Sequence, residues 1–154
     1  MKIAGRKIEG PNRVTLVLPR EGQEDIIIIA QAIIEMGEFD EFVKLPLPPT
    51  VTKAGGIVES NFADKGYVDQ LSAYNMKKLA FIVLKSLEPS EIEWETVDLK
   101  NPSTWAAYVD EMKAAGFSDI EINRIGNACM EANALDEAKL DAARQAFLRG
   151  QQGK

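Results

Sequence analysis

Histidine is missing altogether from the 154 residues. The side chain that most often serves as a general base near neutral pH, and most often ligates transition metals, is therefore not on offer. Ser-His-Asp and Cys-His nucleophiles and histidine metal sites are excluded. Cysteine occurs once, at Cys129, so neither an internal disulfide nor a zinc site of paired thiolates can form within the chain. Such usage fits a reducing, cytoplasmic compartment. Apolar runs such as Ile26 to Ala30 fall far short of the roughly 20 residues of a membrane-spanning helix. The opening MKIAGRKIEG has no apolar h-region, so no targeting or transmembrane segment is expected. Long like-charge blocks and low-complexity tracts are also lacking, which argues against disorder.

What is present suits one soluble domain: 45% hydrophobic residues can fill a core, and 27% charged residues can solvate its surface. The net charge of -6 repels a phosphate backbone, so nucleic acid is not an expected partner. Basic residues gather only at Lys2, Arg6, Lys7, Arg13 and Arg20, against Glu9, with no aromatic among them to stack a base. Acids then dominate, at Glu21, Glu24, Asp25, Glu35, Glu38, Asp40 and Glu41. Neighbouring strands of opposite sign, paired across a sheet, account for this inversion. Farther on, Glu91, Glu93 and Glu95 alternate with Ile92, Trp94 and Thr96, which in an extended chain sets three carboxylates on one face. A calcium-type ion needs ligands converging on a turn, and no Asp/Asn/Gly loop is present, so a solvated face is the reading and no metal is expected.

Periodicity divides the chain. Val14, Leu16 and Leu18 alternate with Thr15 and Val17 up to Pro19-Arg20-Glu21-Gly22, a strand followed by a turn. Ile26, Ile27, Ile28 and Ile29 are stiff at χ1 and favour a second strand. Ile3 to Ile8 offers a further one, and Ala30 to Val43 reads as strand continuation and a short helical turn. Lys44-Leu45-Pro46-Leu47-Pro48-Pro49 is neither helix nor central strand, and with Gly55-Gly56 it makes an irregular connector of about twenty residues. Helical spacing runs from Tyr67 to Leu87, through Leu71, Tyr74, Leu79, Ile82 and Val83, and stops at Pro89. Asn101-Pro102 starts a helix with Trp105, Tyr108, Val109 and Met112 on one face, and Gly116 ends it. Ser118-Asp119-Ile120-Glu121 matches the capping box of a third helix whose stripe is Ile122, Ile125, Cys129 and Ala132. Asp136 caps a fourth, through Leu140, Ala143 and Phe147, with fraying at Gly150 to Lys154. The expected fold is α+β: a small N-terminal antiparallel sheet in residues 1–43, a connector at 44–65, and a helical part of about four helices at 66–150, in one composite domain.

None of these elements carries a catalytic signature. Gly55-Gly56 lacks the spacing and lysine-serine ending of a phosphate loop. Cys129 falls on an apolar stripe, where a thiol acts as a small hydrophobe. Trp94 and Trp105 have the apolar neighbours Ile92 and Val109, as core anchors do.

A resemblance comes from the order of motifs. Glu38-Phe39-Asp40-Glu41-Phe42, then Leu45-Pro46-Leu47-Pro48-Pro49, a Gly-Gly turn, and Tyr67…Tyr74-Asn75-Met76-Lys77-Lys78-Leu79-Ala80 are similar to tail assembly chaperones of long-tailed, siphovirus-type bacteriophages. Ile92-Glu93-Trp94-Glu95-Thr96-Val97, Asn101-Pro102-Ser103-Thr104-Trp105, Gly116-Phe117-Ser118 and Asn133-Ala134-Leu135-Asp136 continue the likeness. The resemblance implies a non-enzymatic, cofactor-free factor of the host cytoplasm, absent from the finished virion. It would bind the tape measure protein and help tail tube protein subunits assemble around it. Two other classes compete: a structural tail or neck component retained in the virion, and a small regulatory protein-binding module.

The candidate client contacts are Leu45 and Leu47 with the flanking Phe39 and Phe42, and then Trp105; packing of Leu45 and Leu47 on the core is an equal alternative. Candidate self-association residues are Ile26, Ile27, Ile28 and Ile29, which put two side chains on each face of a strand and cannot all be hidden under one layer. Cover for the other face can come from the helical half or from a second copy, and self-association into a homo-oligomer is the favoured expectation. With no metal site in view, treatment with a chelator is expected to leave the melting temperature unchanged. A marked fall would return Glu91, Glu93 and Glu95 to consideration as ligands.

Overall fold

The computed structural model describes residues 1–153. Its strands are β1 (Lys2–Ile3), β2 (Arg6–Lys7), β3 (Arg13–Leu18), β4 (Ile26–Gln31), β5 (Thr50–Thr52) and β6 (Val58–Ser60). Its α-helices are α1 (Gly37–Phe42), α2 (Lys65–Ser86), α3 (Tyr108–Ala114), α4 (Asp119–Ala132) and α5 (Glu137–Gln152). The fold is α+β, as the periodicities imply.

The strands form three separate antiparallel hairpins rather than one sheet. In β3–β4 the register pairs Leu18 with Ile26, Leu16 with Ile28 and Val14 with Ala30. Those six side chains share the inner face, and Leu18, Ile28 and Ala30 are buried. Strand alternation turns Ile27 and Ile29 outward. The segment Ile3 to Ile8 does not extend this sheet. Ala4 and Gly5 have φ of 49° and 79°, the mirror-image turn that suits the strand twist, so β1 folds back on β2.

Paired strands of opposite charge do not form. Arg13 sits beside Gln31, whose side-chain oxygen accepts its Nε–H at 2.7 Å. Arg20 reaches instead across to α4 and pairs with Glu121. Here the acids at Glu21, Glu24 and Asp25 occupy the turn, where water solvates them, while the only partly buried cation of the hairpin finds a carboxylate from another element.

The connector is also more ordered than its composition implies. Residues 44–49 are irregular, as their prolines require. Thr50-Val51-Thr52 and Val58-Glu59-Ser60 then pair as β5–β6, because β-branched residues flank a turn in which Gly55 and Gly56 take φ of 84° and 75°. A Lys53–Glu59 ion pair at 2.7 Å spans the hairpin.

Helix boundaries follow their capping chemistry. Asp64 caps α2 by accepting the Tyr67 N–H at 2.9 Å. The Ser118 hydroxyl accepts the Glu121 N–H at 3.2 Å, and the Glu121 carboxylate accepts the Ser118 N–H at 2.9 Å, which completes the capping box of α4. Gly116, at φ 102°, ends α3, with Phe117 N–H on the Met112 carbonyl and Gly116 N–H on that of Lys113. The helix begun at Asn101-Pro102 is 3₁₀ through Pro102–Ala107 and α only from Tyr108. There the Thr104 hydroxyl bonds the Asn101 carbonyl at 2.8 Å, a local competitor of the α-helical pattern. Asp136 caps α5 through the Lys139 N–H at 3.1 Å, and the helix persists to Gln152; Lys154 lies outside the described residues. No α5 side chain is buried.

Two hydrophobic clusters share α2. One joins the inner face of β3–β4 to Val83 of α2, Leu87 just after it, Met112 of α3, and Ile122, Ile125, Ala128, Cys129 and Ala132 of α4. The other gathers Phe39, Ala80, Phe81, Leu84 and Trp105. Ala80 to Leu84 are consecutively buried, whereas Leu79, expected on the inner stripe, is exposed. Lys85 then ties α2 to α1, meeting Glu88 at 2.8 Å and Glu38 at 3.0 Å, and those carboxylates raise its pKa.

Glu121 generates a pH prediction. The Ser118 N–H and then Arg20 stabilise its carboxylate, so its pKa lies below the ordinary glutamate value. A depressed folded-state pKa adds stability above the unfolded value of about 4.3 and loses it as pH falls through the folded value. Glu121→Gln keeps a capping-box acceptor but discards the charge pair. The variant is expected to melt below wild type at neutral pH, with the two curves converging in acid, read by thermal melts across pH.

Candidate partner-binding surface

The surface lies where α2 leaves the core. Its C-terminal turns are buried on all sides, while from Lys65 to Leu79 only Tyr67, Leu71 and Tyr74 are half-buried. Tyr74 meets Phe39 edge-on at 5.4 Å, and Tyr67 meets Phe62 at 6.1 Å. The connector and the β5–β6 hairpin precede this projecting half of α2, and together they form an arm.

Leu45 is 59% exposed and Leu47 79%. Val51, Ile57, Val58, Phe62 and Val68 are exposed farther along the same arm. These five escaped the sequence reading, although one signal was available: apolar residues scattered through a segment with neither a helical nor a strand period long enough to bury them. On α5, Leu140, Phe147 and Leu148 are exposed as well.

Phe39 and Trp105 are not surface contacts. Both have 0% exposure. Phe39 packs against Phe81 at 5.5 Å and Trp105 at 6.1 Å, and Phe81 against Trp105 at 5.2 Å. The Trp105 indole N–H faces the carbonyls of Asp98 and Leu99, each at 3.2 Å, which satisfies its one donor. Burial of these rings, next to acidic neighbours that stay in water, outweighs any role in binding a client. Phe42, 36% exposed and edge-on to Trp105 at 6.3 Å, is the rim of this cluster and touches both core and solvent.

Of the four isoleucines offered for self-association, Ile28 is buried and Ile26 half-buried on the inner face, and both belong to the core. Ile29 is half-buried because the 3₁₀ turn Glu88–Ser90 lies against it, with Ser90 Oγ accepting its N–H and donating to its carbonyl, each at 2.8 Å. Ile27 alone of the four is exposed. The structure thus brings Leu45 and Leu47 onto one arm and leaves Ile27 elsewhere.

Reactive chemistry is muted. Burial pushes the Cys129 thiol up to about 12, so it stays protonated and inert at neutral pH. Burial also raises the Tyr108 pKa. Glu91 takes a left-handed φ of 54°, which breaks the extended run that would align it with Glu93 and Glu95. Among the described residues no group of three or more Cys, Asp or Glu side chains is placed to hold a metal ion.

Comparison of the chain with known protein families, with curated proteins and with solved structures finds no match.

The contrast in burial sets an expected difference in energy. Phe39→Ala should cost about 3–5 kcal/mol of folding stability. Leu45→Ala with Leu47→Ala should leave the melting temperature within a degree or so of wild type, as surface changes commonly do. Denaturant unfolding of both variants checks the pair.

Proposed function

We propose that this protein is a non-enzymatic tail assembly chaperone, which binds the tape measure protein and promotes assembly of tail tube subunits around it. Exposed apolar side chains strung along the arm from Leu45 to Val68 carry this reading. Soluble monomers seldom display large apolar patches without a partner to cover them. Proline at 46, 48 and 49 lowers the conformational entropy that the connector loses on ordering against a client. The net negative charge keeps a complex with an aggregation-prone client in solution. No helix of the described residues is long and apolar enough to cross a membrane. The resemblance in the connector and the Tyr67…Ala80 helix points to the same role.

On this reading the protein acts in the host cytoplasm and leaves before the virion is complete. Mass spectrometry of purified particles separates it from a retained tail or neck component. The decisive experiment is coexpression with a siphovirus tape measure protein. Wild type is expected to hold that protein in the soluble fraction. The Leu45→Ala, Leu47→Ala variant, equally stable, is expected to lose most of the effect. A variant that melts normally and still protects its client would move the contact off the connector.

A further inference from the structure

A groove of about 510 Å³ runs beside the outer edge of β4, within the size range of ligand-binding clefts. Ile26 to Ile28 form one wall, and Ile92, Trp94, Met112 and Phe117 supply most of the rest. Its charged groups are all carboxylates: Glu93, Glu95 and Glu111, with no lysine or arginine in the lining. Glu111 Oε1 accepts the N–H groups of Glu95 and Thr96 at 2.6 Å each. Its other oxygen, Oε2, is buried and has no hydrogen-bond partner. That oxygen is closed off from the groove, so the carboxylates open to an incoming group are the exposed Glu93 and Glu95.

The strand edge there is open as well. In an antiparallel pair, alternate residues turn their backbone groups away from the partner strand. Ser90 meets both groups of Ile29, which assigns Ile29 and therefore Ile27 to that outer edge. Among the described residues nothing outside the β3–β4 pair bonds Ile27. Its side chain is 58% exposed.

The complement of this groove is found at the other end of the sequence. Residues 1–10 are exposed throughout. The β1–β2 hairpin carries Lys2, Arg6 and Lys7, offset by Glu9, which pairs with Lys7 at 3.2 Å. Ile3 and Ile8 stand exposed among these cations. The hairpin's root is fixed away from the groove. Asn12 accepts the Ala32 N–H at 2.9 Å, and Arg13 pairs with Gln31, at the opposite end of β4 from Ile26 to Ile28.

We propose that the groove between β4 and the Ile92–Glu95 segment receives the basic N-terminal hairpin of a second copy of this chain, joining copies head to tail. Ile3 and Ile8 meet the apolar walls, the cations meet Glu93 and Glu95, and the extended backbone pairs with Ile27. Such a contact uses two different surfaces of each copy and is not two-fold. It leaves the client-binding arm untouched and stands independently of the chaperone reading.

Charge exchange tests this in the full-length chain by sedimentation at millimolar protein. Wild type is expected to exceed the monomer mass at low salt and to fall toward it at high salt. Lys2→Glu, Arg6→Glu, Lys7→Glu makes hairpin and groove both acidic; Glu93→Lys, Glu95→Lys makes both basic. Each variant alone is expected to be monomeric, with circular dichroism and melting temperature unchanged because all five side chains are exposed. Mixed, the two regain association, since each hairpin then faces a groove of opposite sign. A monomeric wild type, association indifferent to both reversals, or a mixture that stays monomeric would each overturn the proposal.

Discussion

Everything else hangs on Ala80 to Leu87 at the end of α2 and the turn that follows it. This stretch has apolar neighbours on both sides: Phe81 and Leu84 fill the aromatic cluster with Phe39 and Trp105, while Val83 and Leu87 fill the cluster under β3–β4 and α4. A helix hydrophobic all round is stable only where it is enclosed. Enclosure here requires the hairpin, α4 and the Trp105 turn to arrive together, so the two clusters are mutually dependent. One buried polar group fits the same logic. Ser86 is fully buried, and its hydroxyl accepts from Asn133 Nδ2 at 2.7 Å, while Asn133 Oδ1 accepts the Ile33 N–H at 2.8 Å. Thus one asparagine fastens α2 to the end of α4 and to the segment after β4, with its donors and acceptor satisfied.

The same constraint explains what is left outside. Once the C-terminal turns of α2 are committed to the core, a helix of 22 residues must project its other end into solvent. The connector that feeds it cannot return to the sheet, because prolines at 46, 48 and 49 deny it ladder donors. The arm is therefore a product of topology as well as of composition. Its exposed leucines and valines are not core residues that failed to find a place.

Much of this was legible in the chain. Capping residues act locally, so Ser118, Asp136 and Gly116 mark their helix ends whatever the rest of the fold does. Strand alternation likewise places Leu16 and Ile28 on one face and Ile27 on the other. Burial by tertiary contact was harder to see. Phe39 sits among Glu38, Asp40 and Glu41 and reads as surface, yet one helical turn suffices to point its ring at Phe81 while the acids face water. Trp105 reads as a core anchor first and a contact second, and its burial with Asp98 and Leu99 at its indole N–H bears out the first. The run Ala80 to Leu84 has no period at all, so periodicity put Leu79 inside when it is out. The β5–β6 hairpin, three residues to a strand, is too short for alternation to register. As for the candidate surface, the prolines keep Leu45 and Leu47 out of a helix or central strand but leave packing on the core open, which only their exposure in the fold decides, whereas Phe62 and Val68 depend on how far α2 projects.

Charge and apolar surface are distributed differently over the molecule, and this bears on how it can bind more than one thing at once. The arm from Leu45 to Val68 sets exposed apolar side chains among charges of both signs, including the Lys53–Glu59 pair, so it has no one sign of charge with which to select a partner. The groove beside Ile27 is the reverse: apolar walls with fixed carboxylates, one of them holding a buried oxygen that lacks a donor. A site of that kind discriminates by charge, because an anionic partner would be set against Glu93 and Glu95. The arm and the groove share no residue, as the groove is lined by β4, the segment around Trp94 and the helix that follows Trp105. Occupying one leaves the other free. If the proposed chaperone role and the proposed head-to-tail contact both hold, the chain would join its own kind through a selective contact while keeping a separate surface open to a client.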